Sequence, residues 1–312
     1  MSSTILQTPI LIYGNGALAS AMQESLQFRG VSRNAVTTHD TLPERSSQDR
    51  NGLARAIKDV AIVLCCVDTP PKKERMAAEE RYDLQGVFAC IRDLHYAGYD
   101  KMLVIRTTVS PEDTLLIAEV CKDLGAKFDV CYWPSLSHVG GEKDCEMQPT
   151  LVPLGIDPDG DYKEESLRPF IEWVSAVFSE SKPGVAVMHP ITVCAVSQFI
   201  CVLGLGLAEL LRDYQRVWGT YTQHNDRVMD FGQIIQLLVT TGYFTDVAIS
   251  ALEIVDGKRV PTYMLETTSA FVWEAKMKEK STWVINAVDR RARLDADSRQ
   301  AAEQTAQKPT DQ

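Results

Sequence analysis

The chain has no block of lysine and arginine and no basic stripe interleaved with aromatic residues. Its 32 basic residues are outnumbered by 42 acidic ones, for a formal charge of −10. Binding a nucleic-acid backbone needs a positive surface, so no nucleic-acid partner is expected. No uninterrupted apolar run approaches the ~18 residues of a membrane helix, so no membrane partner is expected either. The opening residues, MSSTILQTPILIYG, lack a basic region and a cleavage site, and no signal peptide is expected. None of the eight cysteines forms a CxxC pair, and no Cys/His cluster has the spacing of a zinc site, so no metal is expected. Most of these cysteines sit inside apolar segments, which favours buried free thiols over disulfides. Thiols of that kind point to a reducing compartment and a cytoplasmic protein.

What is present is ordinary in bulk and patterned in detail. The 312 residues are 45% hydrophobic and 24% charged, enough to bury a sizeable core in one or two domains. In the first half, short apolar runs alternate with amphipathic stretches. Strands are expected at 10–13, 35–38, 61–67, 102–105, 127–132, 151–154 and 184–187. Helices are expected at 17–27, 52–58, 84–97, 111–124 and 164–178. Strand-helix alternation predicts an α/β fold, here a Rossmann-like, doubly wound parallel sheet. Such sheets bind ligands outside the carboxyl ends of their strands.

The pattern changes after His189–Pro190. A long, mostly apolar helix is expected over 191–215, with too many apolar residues for one face, which predicts burial on several sides. Gly204 and Gly206 would let another backbone approach it. Further helices are expected at 228–240, 243–255 and 261–291, followed by a polar, disordered tail. The organisation expected is thus a Rossmann-like domain at 1–189, an all-helical domain at 190–294 built on the long central helix, and a tail at 295–312. The 191–215 helix is the expected homodimer contact.

The first strand runs into GNGALA, residues 14–19, which fits G-x-G-x-x-A. In that motif the first glycine permits a tight turn and the second lets backbone approach a pyrophosphate. The small third residue lets helix pack on strand, and the helix N-terminus faces the phosphates. Gly14, Asn15, Gly16, Ala17 and Leu18 are therefore candidate cofactor contacts. Asp40, 21 residues after Ala19, would take a ribose 2′-hydroxyl and favour NAD; as a plain turn residue before Pro43 it would do neither. Arg33 and Arg45 leave NADP open. A buried strand then ends in VDTPP, where the prolines hold the backbone extended. Val67, Asp68 and Thr69 suit a wall beside the nicotinamide ribose, or form a plain loop.

Three segments together resemble the UDP-glucose and GDP-mannose dehydrogenases. GNGALA resembles the family's first βα turn, VLCCVDTPP its V-x-T-P strand end, and LVIRTTVSPED its K-S-T-V-P-P-G strand end. A fourth, 133–155, lies without gaps on the family's N-P-E-F-L-R-E-G element, with Pro134, Gly140, Pro149 and Gly155 in matching places. The resemblance covers roughly residues 10–255. It implies a dinucleotide cofactor, a small-molecule substrate such as a nucleotide sugar, and active-site hydroxyls at Thr107 and Thr108.

The same alignment shows what is lost. The family oxidises a sugar alcohol to an acid in two steps, which implies a cysteine nucleophile, oxyanion donors and a glutamate base. Here Ser135 stands at the glutamate position. Val193 and Ser197 stand where lysine and asparagine would fall, and no cysteine follows residue 201. The segment AKMKEKST, 275–282, keeps lysines without the cysteine. It equally resembles an element of the β-hydroxyacid dehydrogenases, which share the two-domain plan. Four-electron oxidation is excluded on this reading. What remains is a divergent NAD(P)-dependent oxidoreductase limited to two-electron hydride transfer, with Thr108, Ser135, His138 and Lys280 as candidate catalytic residues. The alternatives are a silent relative that binds a dinucleotide or nucleotide sugar as a regulatory or scaffold subunit, and a structural dimer that binds none. Taken singly, His138 also reads as a surface-loop histidine and the lysines at 276–280 as a solvated helix face. Arg106 reads as a carboxylate or phosphate partner or as a solvated side chain. His189 reads as structural, and Cys65 and Cys66 as packing residues.

Overall fold

The computed structural model describes residues 5–39, 47–69, 82–135, 146–147, 149, 151–157, 162, 164–178 and 184–225. The chain divides into two compact units. The first comprises Met1–Pro71, Tyr82–Ser137 and Gly141–Ser197; of the second, the described part is 198–225. The helices expected at 228–240, 243–255 and 261–291, and the tail from 295, lie outside the described residues.

The first unit is built on a seven-stranded sheet in the order β2-β1-β3-β4-β5-β6-β7. Strands β1 (Ile10–Tyr13), β3 (Ile62–Cys65) and β4 (Met102–Ile105) are buried at every position. That is why they read as continuous apolar runs: a parallel sheet covered on both faces gives its central strands no solvent side. β2 (Val36–His39) lies at the edge and is half exposed. The expected α/β sheet is present, with one correction. β1 to β5 (Asp129–Tyr132) are parallel, but β6 (Leu151–Gly155) runs against β5, meeting it at Tyr132–Gly155, and β7 (Gly184–Met188) pairs parallel with β6. The apolar run LVPL marks a strand without giving its direction. Pro153 has no N–H to donate, and the pairing of β6 with β5 is confined to Gly155.

The helices follow from their buried stripes and caps. α1 (Ala17–Phe28) buries Ala19, Met22, Ser25 and Leu26 at helical spacing. α2 (Ser47–Ala56) begins five residues before the expected 52–58, and α3 spans Gln85–Tyr96. α4 (Pro111–Leu124) has a complete capping box. The Ser110 hydroxyl accepts from the Asp113 amide at 3.2 Å, and the Asp113 carboxylate accepts from the Ser110 amide at 2.8 Å. Pro111 opens the helix, and Gly125, at φ 65°, closes it in the left-handed region. α5 (Glu164–Val177) contributes Phe170, Trp173, Val174 and Val177 to the core cluster.

α6 (Pro190–Asn225) is longer than the expected 191–215. His189 precedes it, its Nδ1 accepting from the Ile191 amide at 3.2 Å. Burial on several sides is not found among the described side chains. The buried positions are 190, 193, 194, 197, 198, 201, 204, 205, 208 and 209, a single stripe, while Phe199 is 62% and Leu210 60% exposed. Nor does anything lie within 4 Å of a Cβ built on Gly206, so no backbone approaches there among the described residues. The segment Pro190–Leu210 is long and apolar enough to cross a membrane by length and composition, with a mean hydropathy of 2.1 and half of its most apolar window buried. The close approach in this region is instead at Gly155, where a Cβ would lie 2.5 Å from Val193 Cγ1, 2.9 Å from Tyr132 Cβ and 3.1 Å from Pro190 Cα.

The capping box gives a first expected outcome. Ser110→Ala should lower the unfolding free energy by about 1 kcal/mol, measured as a shift in the urea midpoint at unchanged slope.

Candidate functional site

Strand β1 connects to β2 on one side of it and β2 to β3 on the other, so the sheet's switch point lies between β1 and β3. The crevice at that point is where doubly wound sheets hold ligands. Here the turn after β1 is fixed from both sides. The Gly14 amide donates to the His39 carbonyl at the tip of β2, at 2.8 Å. Across the switch point, a Cβ on Gly14 would lie 2.4 Å from the Cys66 carbonyl oxygen, and φ at Gly14 is 129°. Only glycine satisfies both conditions. Gly16 is the N-cap of α1 and offers no side-chain cap, so the first amides of the helix are left for solvent or a ligand. Asn15 and Ala17 are exposed, Leu18 is half-buried, and Ala19 is buried in the core cluster, as the small third position of the motif requires.

Facing this turn is the segment after β3. Val67 is buried and packs close over Gly86 at the start of α3. Asp68 is exposed, and its carboxylate stands over Gly16. Oδ1 and Oδ2 lie 2.8 Å and 3.3 Å from where a Cβ on Gly16 would be. Thr69 ties this strand tip to the next, its hydroxyl 3.2 Å from that of Thr107 and donating to the Thr108 carbonyl at 2.9 Å. The hydroxyl of Thr108 has no hydrogen-bond partner among the described residues, and Thr108 is half-buried. The stretch TTVSPED thus divides in two: its threonines belong to the crevice, and SPED is the cap of α4.

Arg106, between β4 and the threonines, is 1% exposed. It donates through Nη1 to the Trp133 carbonyl at 2.6 Å and through Nη2 to Glu146 Oε1, and its guanidinium lies 4.1 Å from the centroid of the Trp133 ring. The solvated alternative for this arginine is therefore wrong. A charge this deep needs a carboxylate partner. The Ser135 hydroxyl donates to the same Glu146 oxygen at 2.9 Å, and the Ser135 amide donates to the Arg106 carbonyl at 3.3 Å. The backbone of 146–147 is held in turn: the Glu146 carbonyl accepts from Ser25 Oγ at 2.5 Å and the Met147 carbonyl from Arg29 Nη2 at 2.5 Å. Serine stands where the resemblance puts a carboxylate, and a carboxylate from eleven residues later sits against that serine. Glu146 was missed in the sequence. The one signal was Arg106 itself, a charge directly after four buried apolar residues.

Burial pushes the thiols of Cys66 and Cys131 well up from their ordinary value, and the nearby Arg106 pulls them back only in part. Cys65 and Cys66 are fully buried, which makes them packing residues as expected. Gly14, Asn15, Gly16, Ala17, Leu18, Val67, Asp68, Thr69, Thr107, Thr108 and Ser135 line up along the carboxyl edges of β1, β3, β4 and β5. Asp40, His138 and Lys280 lie outside the described residues, as does Arg45. Arg33 precedes β2 in a short 3-10 turn, at the opposite end of the strand from the crevice, so it cannot meet a ribose phosphate there. A cavity of about 320 Å³ lies apart from this edge, lined among others by Leu115, Ala118, Cys121, Phe128, Tyr162 and His189.

No protein-family model matches the chain, and no curated protein matches it in sequence. Among solved structures it is similar to a UDP-glucose dehydrogenase from the hyperthermophilic archaeon Pyrobaculum islandicum. The two are 18% identical with a TM-score of 0.62, over 92% of this chain and 68% of that one. It is also similar to a 3-hydroxyisobutyrate dehydrogenase of Mycobacterium tuberculosis, at 12% identity and a TM-score of 0.58, over 93% and 94% of the two chains. The likeness is one of fold, a Rossmann-like α/β sheet followed by helix, and it falls on both families that the motifs resemble.

The buried pair gives a second expected outcome. Arg106→Met leaves the Glu146 carboxylate buried without its partner and should cost about 3–5 kcal/mol. The double variant Arg106→Met/Glu146→Leu should recover much of that loss, and a denaturation cycle over the four proteins measures the coupling.

Proposed function

We propose that the chain binds a nicotinamide dinucleotide at the crevice between β1 and β3 and carries out a single two-electron hydride transfer on an alcohol or carbonyl. The observation that carries this reading is the Gly14 turn, held by positive φ and by the Cys66 carbonyl at the switch point, with an uncapped helix start beyond it. A bound nicotinamide would accept or donate the hydride; the rest falls to the chain. The Thr108 hydroxyl, without a partner among the described residues, is available to a substrate oxygen. The Ser135 proton is committed to Glu146, so what Ser135 offers a ligand is its lone pairs, suited to a substrate hydroxyl. Oxidation of an alcohol releases that hydroxyl proton, and the Ser135 lone pairs would orient the hydroxyl for its loss.

Burial holds the thiols of Cys66 and Cys131 in their neutral form, so neither of these two is suited to act as a nucleophile. Arg33 lies at the wrong end of β2 for a 2′-phosphate, which favours NAD. The substrate class that accords with the likeness is a small alcohol, a nucleotide sugar among them. The protein is read as a cytoplasmic homodimer that pairs through the 191–215 helix. A second reading, a silent relative that binds the dinucleotide without turnover, is favoured by positions 193 and 197. Both are buried in α6, and they carry valine and serine where the resemblance calls for lysine and asparagine.

Thermal denaturation with NAD, NADP and their reduced forms tests the binding. A dinucleotide at ~100 times its dissociation constant should stabilise the fold by roughly 2.7 kcal/mol. Gly16→Asp should keep the unliganded melting temperature within a few degrees and lose the shift. No shift with any of the four dinucleotides would overturn both readings; a shift without turnover on alcohols and nucleotide sugars would select the second.

A further inference from the structure

We propose that Asp68 is an internal competitor for the pyrophosphate of the dinucleotide. This rests on the function proposed above and adds to it a residue that sets the affinity and anion preference of the crevice.

A glycine at the second position of the turn leaves open the space above its Cα, and a phosphate approaches through that space. In this chain the space is taken. Both carboxylate oxygens of Asp68 lie within 3.3 Å of the point where a Cβ on Gly16 would be. A phosphate oxygen and a carboxylate oxygen cannot share it: they overlap sterically, and their charges repel. Both are also drawn to the same feature, the uncapped amides at the start of α1.

The surroundings decide how the conflict is resolved. The backbone of Asp68 is fixed on both sides, by the buried Val67 before it and by the Thr69 hydroxyl bonds to Thr107 and Thr108 after it. The segment therefore cannot retreat as a whole. The carboxylate is exposed, however, and no hydrogen bond holds it among the described residues. Its side chain is free to rotate out of the crevice while the main chain stays in place. Asp68 thus weakens dinucleotide binding without blocking it, and the penalty falls on phosphate-bearing ligands alone.

Asp68→Asn keeps the size and removes the charge; Asp68→Ala removes both. Titration calorimetry on the full chain with NADH, ADP-ribose and adenosine separates the effects. NADH and ADP-ribose should bind roughly 5- to 10-fold more tightly to Asp68→Asn than to the parent at low salt. Asp68→Ala should bind them at least as tightly as Asp68→Asn. The advantage of Asp68→Asn should shrink by 0.5 M NaCl, where repulsion between exposed charges is screened at about 4–5 Å. Adenosine affinity, with no phosphate in play, should not change.

Equal NADH affinity in all three proteins would overturn the proposal and leave the proposed function standing. Weaker binding by Asp68→Asn would also overturn it and put the carboxylate on a ribose hydroxyl. An equal gain for adenosine would do the same, because the effect would then not be on phosphate. If NADH bound to none of the three, this inference and the function beneath it would fall together. Binding by the variants alone would support both.

Discussion

The close approach of two main chains at the switch point is the constraint on which the rest of the site depends. The turn after β1 lies against the Cys66 carbonyl so tightly that a single methyl group would not fit. That contact fixes the distance between the start of α1 and the segment after β3. Asp68 stands over Gly16 across that spacing. The same turn is bonded to the tip of β2 through the His39 carbonyl, so three strands share one anchoring point. The geometry follows from backbone sterics and owes little to side-chain attraction.

A second element works by a different principle. Arg106 and Glu146 are buried together beneath the threonines, and such a pair stabilises little after the cost of removing both charges from water. Its effect is on position. The carboxylate oxygen that accepts from Arg106 also accepts from Ser135, so the serine hydroxyl at the tip of β5 is oriented by a charge belonging to β4. The guanidinium in turn lies over Trp133 and bonds its carbonyl. Neighbouring strand ends are thus tied by hydroxyls between β3 and β4, and by a charge network between β4 and β5.

How far this could be read in the sequence depended on the range of the forces involved. Strands 10–13 and 102–105 were legible to the residue, because burial on both faces leaves an unbroken apolar word. The α4 helix was equally plain, since Ser110, Pro111, Asp113 and Gly125 state both of its ends locally. The α2 helix was not, because it begins in a polar stretch, SQDRNG, with little periodicity to mark it. For α6 the count of apolar residues suggests several buried faces, whereas among the described side chains one stripe is buried and Phe199 and Leu210 are exposed. In the site, the glycine turn and the threonines were visible as motifs. The partner of Arg106 lies 40 residues away in a segment without periodicity, and nothing local marks it. Nor could the sequence show that Asp68 turns toward Gly16, which depends on how two loops meet.

Gly155 has a bearing on how folds of this kind can diverge. Three elements converge there, β5 through Tyr132, β6 itself, and the first turn of α6 through Pro190 and Val193. Ordinary contact between carbon atoms needs about 3.5–4.0 Å, so alanine in this place would force the Val193 side chain aside and press on the Pro190 backbone at the start of the long helix. One hydrogen atom in place of a methyl group thus governs how closely the first turn of that helix can lie against the ends of β5 and β6.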